Sequence, residues 1–146
     1  MKKRYGAFGA IAAILLSMFF GVQPASAVAS SVCGSGYTQV ATDNAYTNAG
    51  GLVGTIYVFR KSSTNTTCAV MEGKNGAYNY LAYKSAWVQN QSTLQTDSSA
   101  GNFYFYAGPV YITQTAGQCM LAVGKVDYNG NRYSTNASSI GSTYCA

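Results

Sequence analysis

The chain has no histidine and only four acidic residues among 146. The first absence removes the Ser-His and Cys-His pairs, in which an imidazole takes the proton from a nucleophile. The second leaves Asp43, Glu72, Asp97 and Asp127 as the whole supply of carboxylates. A glycosidase needs two of them about 5–9.5 Å apart across one bond, but each has a local reading. Asp43 and Asp97 stand among turn-forming residues, where Asp bonds its own backbone. Glu72 ends a candidate strand and Asp127 borders a hairpin. Lys84 and Ser85 are neighbours, and neighbours in a strand point to opposite faces, so they are poorly placed as a dyad. The chain also lacks a C-x-x-C pair. No catalytic residue, metal site or cofactor is expected.

Charge is scarce as well, at 9% of residues. Lys2, Lys3 and Arg4 crowd the N-terminus. The remaining basic residues, Arg60, Lys61, Lys74, Lys84, Lys125 and Arg132, form no run, which argues against tracking a nucleic-acid backbone. Long apolar stretches are missing except near the start. There Ala7 to Val22 follows the basic cluster and ends at Pro24-Ala25-Ser26-Ala27, with small residues where a signal peptidase reads. The run is short for a membrane span of about 20 residues. Residues 1–27 are therefore expected to be a cleaved signal peptide. Residues 28–146 are expected to form a single secreted β domain with no membrane attachment of its own. Proline is nearly absent; Pro24 and Pro109 are the two.

What is abundant is tyrosine, with 13, and glycine, with 16. Four cysteines, Cys33, Cys68, Cys119 and Cys145, follow an export signal, which implies two disulfides. Three pairings are open. Cys33–Cys68 with Cys119–Cys145 is favoured because it closes the two shorter loops and staples each half.

The body reads as strands. Tyr37 to Thr42, Leu52 to Lys61 and Cys68 to Glu72 are candidates, the second with apolar bulk on both faces. Asn75-Gly76 predicts a tight type I′ hairpin into a return strand over Ala77 to Val88, preferred over a helix near Tyr80 to Val88 for its Tyr and Trp content and flanking turn signal. Gln89 to Asn102 is polar and reads as an exposed loop with at most one short strand. Phe103 to Val123 reads as two adjacent apolar strands joined by a turn at Thr115-Ala116-Gly117-Gln118. Cys119, Leu121 and Val123 line one face of the second. Asn129-Gly130 predicts another hairpin. The fold class is all-β: a compact antiparallel β-sandwich or small barrel stapled by two disulfides.

Tyr78, Tyr80 and Tyr83 cluster in one expected strand, and Tyr104, Tyr106 and Tyr111 in another. Such clusters serve cross-strand packing or a recognition face; the second trio is the candidate contact surface. The sequons at Asn65, Asn90 and Asn136 are close to chance in a chain this rich in Asn, Ser and Thr.

The run Tyr106-Ala107-Gly108-Pro109-Val110-Tyr111, with Gly117-Gln118-Cys119 after it, resembles the spore-associated protein A family of small secreted actinomycete proteins. Cys33-Gly34-Ser35-Gly36-Tyr37 looks like that family's mature start. Thr67-Cys68-Ala69-Val70 and Tyr144-Cys145 fall where its second and last cysteines would. Met120-Leu121-Ala122-Val123 departs from the Trp- and Gly-rich pattern usual there. The resemblance implies a non-catalytic structural or interaction protein of the spore or cell surface. Its partners would be spore or cell-wall components, or copies of itself. A secreted binding or inhibitory module (glycan-binding, antimicrobial or protease-inhibitor-like) is the alternative.

Overall fold

The computed structural model describes residues 31–135 and Cys145. The expected signal peptide and the sequon at Asn136 lie outside these residues. Within them the chain forms β1 (Thr38–Tyr46), β2 (Leu52–Lys61), β3 (Thr66–Gly73), β4 (Ala82–Asn90), β5 (Thr96–Phe103), β6 (Tyr106–Thr113), β7 (Met120–Tyr128) and β8 (Asn131–Ser134). They make two antiparallel sheets, ordered β1-β2-β3-β6 and β5-β4-β7-β8. The sheets pack face to face as a sandwich.

Alternation along the strands explains the layering. Ile56, Val58, Ala69 and Met71 face inward from the first sheet. Ala86, Val88, Met120, Ala122 and Val126 meet them from the second. The other face of β2 is also apolar. Tyr57 and Phe59 pack with Cys68 and Val70 under Cys33, and Val32 and Tyr37 lie against that cluster. A half-polar outer face would need no cover; this one does, and the Cys33–Cys68 disulfide holds the N-terminal segment across it. The second disulfide, Cys119–Cys145, closes the other end of the chain beside β7.

Several sequence expectations give way here. Asn75-Gly76 does not make a type I′ hairpin. Asn75 has a left-handed φ but Gly76 does not, and a type I′ turn needs both. β3 has β2 on one side and β6 on the other, so no edge remains for a return strand. The chain instead crosses through a short 3-10 turn at Asn75–Ala77 to the opposite sheet. β4 consequently begins at Ala82, and of Tyr78, Tyr80 and Tyr83 only Tyr83 lies in it. Gln89 to Asn102 holds all but the last residue of a full strand, β5. It is an edge strand with no fully buried residue, held by its ladder to β4, so its polar composition carries no apolar alternation to read. β6 and β7 follow one another but do not pair; β6 joins β3 and β7 joins β4. On β7 the inward residues are Met120, Ala122, Gly124 and Val126, and Leu121 and Val123 share the opposite face. A side chain on Gly124 would strike Met71 Sδ. The bulk at this level comes from the facing sheet.

Other features agree with the sequence. Val110 and Ile112 are buried while Tyr111 and Thr113 are exposed. Asn129 and Gly130, at φ 49° and 75°, form the two-residue turn between β7 and β8. β1 extends past the expected Thr42 to Tyr46 and turns at Thr47–Gly51, where Gly50 N–H donates to the Thr47 carbonyl.

Candidate functional site

Two crossovers between the sheets lie at one end of the sandwich. One runs from β3 through Tyr78, Tyr80 and Leu81 to β4. The other turns from β5 to β6 at Tyr104 and Phe105. They are joined where Gly73 N–H donates to the Phe105 carbonyl at 2.9 Å. Crossover segments have no second sheet above them, so their large side chains stay in water. Tyr78, Tyr80, Leu81, Tyr104 and Phe105 are 42, 57, 51, 54 and 42% exposed. Three of the rings meet: Tyr78 and Phe105 centroids are 5.3 Å apart, tilted by 56°, and Tyr104 and Phe105 are 6.4 Å apart. Between Leu81 and Phe103 to Tyr106 the surface dips into an open hollow of about 420 Å³. Single exposed apolar residues are ordinary, whereas a contiguous group marks an interaction surface.

A buried lysine fixes this group. Lys84 points inward from β4 and is fully buried. Its Nζ donates to the Tyr80 carbonyl at 2.9 Å and the Phe103 carbonyl at 2.7 Å, one from each crossover. Burial of the ammonium pulls its pKa below the usual lysine value. Gly73 makes the approach feasible. A Cβ there would strike the Ala77 carbonyl and lie 2.7 Å from Lys84 Cε. Ser85, the neighbour of Lys84, faces the opposite way on the outer surface, as alternation requires.

The residues singled out in the sequence fall in different places. Tyr104 belongs to the end patch. Tyr106 opens β6, half-buried, and packs against the Tyr57–Phe59 cluster while also lining the hollow. Tyr111 lies farther along the same strand. Its ring is 6.1 Å from that of Tyr37 and its hydroxyl donates to the Cys33 carbonyl at 3.4 Å. It helps to seat the N-terminal cover. Cys33 and Cys68 are bridged to each other, as are Cys119 and Cys145.

Each carboxylate has its own partner. Glu72 pairs with Lys74. Desolvation pulls the Lys74 pKa down, but the hydrogen bonds and charges of Glu72 and Tyr57 outweigh it, and the net direction is up. Asp127 holds Arg132 through two hydrogen bonds of 2.7 and 3.0 Å. Asp97 accepts from the backbone of Ser98 and, across the sheets, from Tyr111 N–H at 2.8 Å. Asp43 accepts from Asn44 N–H, and its second oxygen is buried without a partner. Among the described residues, no group of three or more Cys, Asp or Glu gathers to hold a metal ion, and no helix is long and apolar enough to cross a membrane.

Sequence reasoning missed Lys84 as an anchor and Leu81 and Phe105 as surface. The available signal was a lysine between Ala82 and Ala86 on one face of a strand, next to two aromatic linkers.

No family model matches the chain, and no solved structure matches it. A search of curated proteins finds similarity to Spore-associated protein A of Streptomyces coelicolor. The identity is 34% over 119 residues, covering 78% of this chain and 71% of that protein. Identity at this level over so much of both chains goes beyond a shared motif: the chain belongs to the spore-associated protein A family.

Proposed function

We propose that this is a secreted, non-catalytic protein of the spore or cell surface that works by contact through its aromatic end patch. The observation that carries the reading is the joined pair of crossovers. Five large apolar side chains stand in water there, on backbone held by Lys84. Keeping them exposed forgoes the stabilisation their burial would bring, about 25 cal/mol for each Å² of apolar area. A partner surface that covers the patch recovers it. Kinship to a protein named for its association with spores supports the location, and two disulfides suit an oxidising compartment. Separately engaged carboxylates and the absence of histidine support contact over turnover. The partner is a component of the spore or cell-wall surface, or another copy of the chain.

The test is co-sedimentation of the purified protein with actinomycete spores and with isolated cell walls. A parallel sedimentation run without either measures self-association. The protein is expected to pellet saturably, and Tyr80→Ser with Phe105→Ser to weaken this by about tenfold or more, a loss of about 1.4 kcal/mol. Protein that stays in the supernatant and monomeric, or a double variant that binds as well as the parent, would refute the reading.

A further inference from the structure

The outer face of the β5-β4-β7-β8 sheet carries a second surface, built differently from the end patch. Tyr83, Ser85 and Trp87 point outward from β4. Register places Trp87 opposite Ser98 of β5 and Val123 of β7, and Ser85 opposite Ala100 and Lys125. Because the β5 positions are Ser and Ala, the sheet is shallow beside the two rings, and a groove of about 380 Å³ opens along β4. That volume lies within the range of small-ligand sites. Trp87 is the chain's one tryptophan, and the core does not use it.

The lining says what the groove suits. Tyr83 and Trp87 are four residues apart on one strand face, about 13 Å at the strand rise. Between and beside them lie the hydroxyls of Ser85 and Ser98, neither of which has a hydrogen-bond partner among the described residues. Lys125 is exposed and has no ion-pair partner among them. Asp127, the nearby carboxylate, is occupied by Arg132. Arg132 in turn lies 3.8 Å from the centre of the Tyr83 ring and steadies it. Two aromatic rings, hydroxyls without a protein partner and one uncompensated positive charge do not describe a hydrophobic peptide site. They match a pyranose strand, whose C–H faces lie on aromatic rings and whose hydroxyl rim seeks hydrogen bonds, with an acid group for the lysine.

We propose that this groove binds a glycan strand of carboxylate-bearing pyranose rings, stacked on Trp87 and Tyr83 with a carboxylate on Lys125. The site is separate from the end patch and does not depend on what that patch contacts. The probe is a soluble oligogalacturonide, with a neutral cello-oligosaccharide of equal length as comparison. Tryptophan emission serves as the readout, since it reports Trp87 alone. The acidic oligomer is expected to perturb the emission saturably, with affinity falling as salt rises, and the neutral one to bind at least about tenfold more weakly. Lys125→Gln, at an exposed position, should remove most of that preference while the fold persists. Trp87→Ala, followed by calorimetry, should abolish binding. Tyr80→Ser should leave it unchanged. No binding of the acidic oligomer, equal binding of the neutral one, or undiminished acidic binding by both groove variants would overturn the proposal.

Discussion

Lys84→Met removes the buried ammonium and keeps a side chain of similar length. Two charge-assisted hydrogen bonds are lost, each contributing about 1.5–3 kcal/mol, so the gross loss is about 3–6 kcal/mol. Replacing a buried charge with an apolar group returns about 1–4 kcal/mol. The expected net destabilisation is about 2 kcal/mol near neutral pH. With a urea slope of about 1.3 kcal/mol per molar for a domain of this size, the midpoint falls by about 1.5 M. The pH dependence is the sharper test. Burial lowers the Lys84 pKa in the folded protein below the ordinary 10.5. Between that lowered value and 10.5 the unfolded chain binds more protons, so stability contributed by this group rises with pH. Below the lowered value the charged amine is paid for in full. The gap between parent and Lys84→Met should therefore widen as pH rises through the lowered value toward 10.5. Comparing the two proteins cancels Tyr37 and Lys74, whose raised pKa values act the other way, with stability lost above about pH 10. Urea unfolding followed by Trp87 emission measures the gap. Amide exchange at Leu81 and Phe105 reports whether the crossovers loosen. A gap that narrows with pH, or unchanged exchange in the variant, would refute the anchoring role.

Three further outcomes follow from the packing. Asn90→Leu should cost about 3 kcal/mol in urea unfolding. Its amide donates to the Thr113 carbonyl and Gln118 Oε1 while its oxygen accepts from Ser92 and Thr93 N–H, and all four of these hydrogen bonds are lost. The same burial predicts that expression in a glycosylating host leaves Asn90 unmodified by mass spectrometry. Gly73→Ala should destabilise by more than about 2 kcal/mol and raise amide exchange at Phe105, because the added methyl meets backbone at Ala77 as well as Lys84. Replacing Cys33 and Cys68 by serine should cost about 4 kcal/mol for a separation of 35 residues. It should also increase binding of an apolar dye, because the segment over Tyr57, Phe59 and Val70 is no longer tied down.

The sequence displayed the strands whose two faces differ in a readable way, and it displayed β2 because both its faces are apolar. It did not display β5. An edge strand over a corner buries neither face, so TDSSAGNF looks like a loop although its backbone is fully laddered to β4. Which face of β7 turns inward was not legible, for a related reason. Leu121 and Val123 are larger than Ala122 and Gly124, and bulk is the usual mark of the core. Here Met71 and Ile56 fill that level from the facing sheet, so the small residues turn inward and the larger ones face out, Val123 into the outer groove. Asn75-Gly76 and Asn129-Gly130 are the same dipeptide with different outcomes. β7 has a free edge for a partner and β3 has none, a fact of strand order that no local pair encodes. The candidate surface was half legible: Tyr78 and Tyr104 were visible as aromatics, but their shared contact with Phe105 depends on two crossovers sharing one end.

Strand β4 joins these observations. Its inward residues are Lys84, Ala86, Val88 and Asn90, with the apolar pair in the middle and a polar anchor toward each end. Lys84 gathers the crossovers at one end of the sandwich. Asn90 gathers the β4–β5 turn and the β6–β7 link at the other. Its outward residues Tyr83, Ser85 and Trp87 form the groove. A strand with buried polar residues at both ends cannot slip by one position without exposing Ala86 and Val88 and burying Tyr83 and Trp87 in a core already filled by Met71. The same two anchors that fix its register thereby fix the end patch and the groove relative to each other. Loosening either anchor should disturb both surfaces together, whereas substitutions on the outward face should disturb the groove alone.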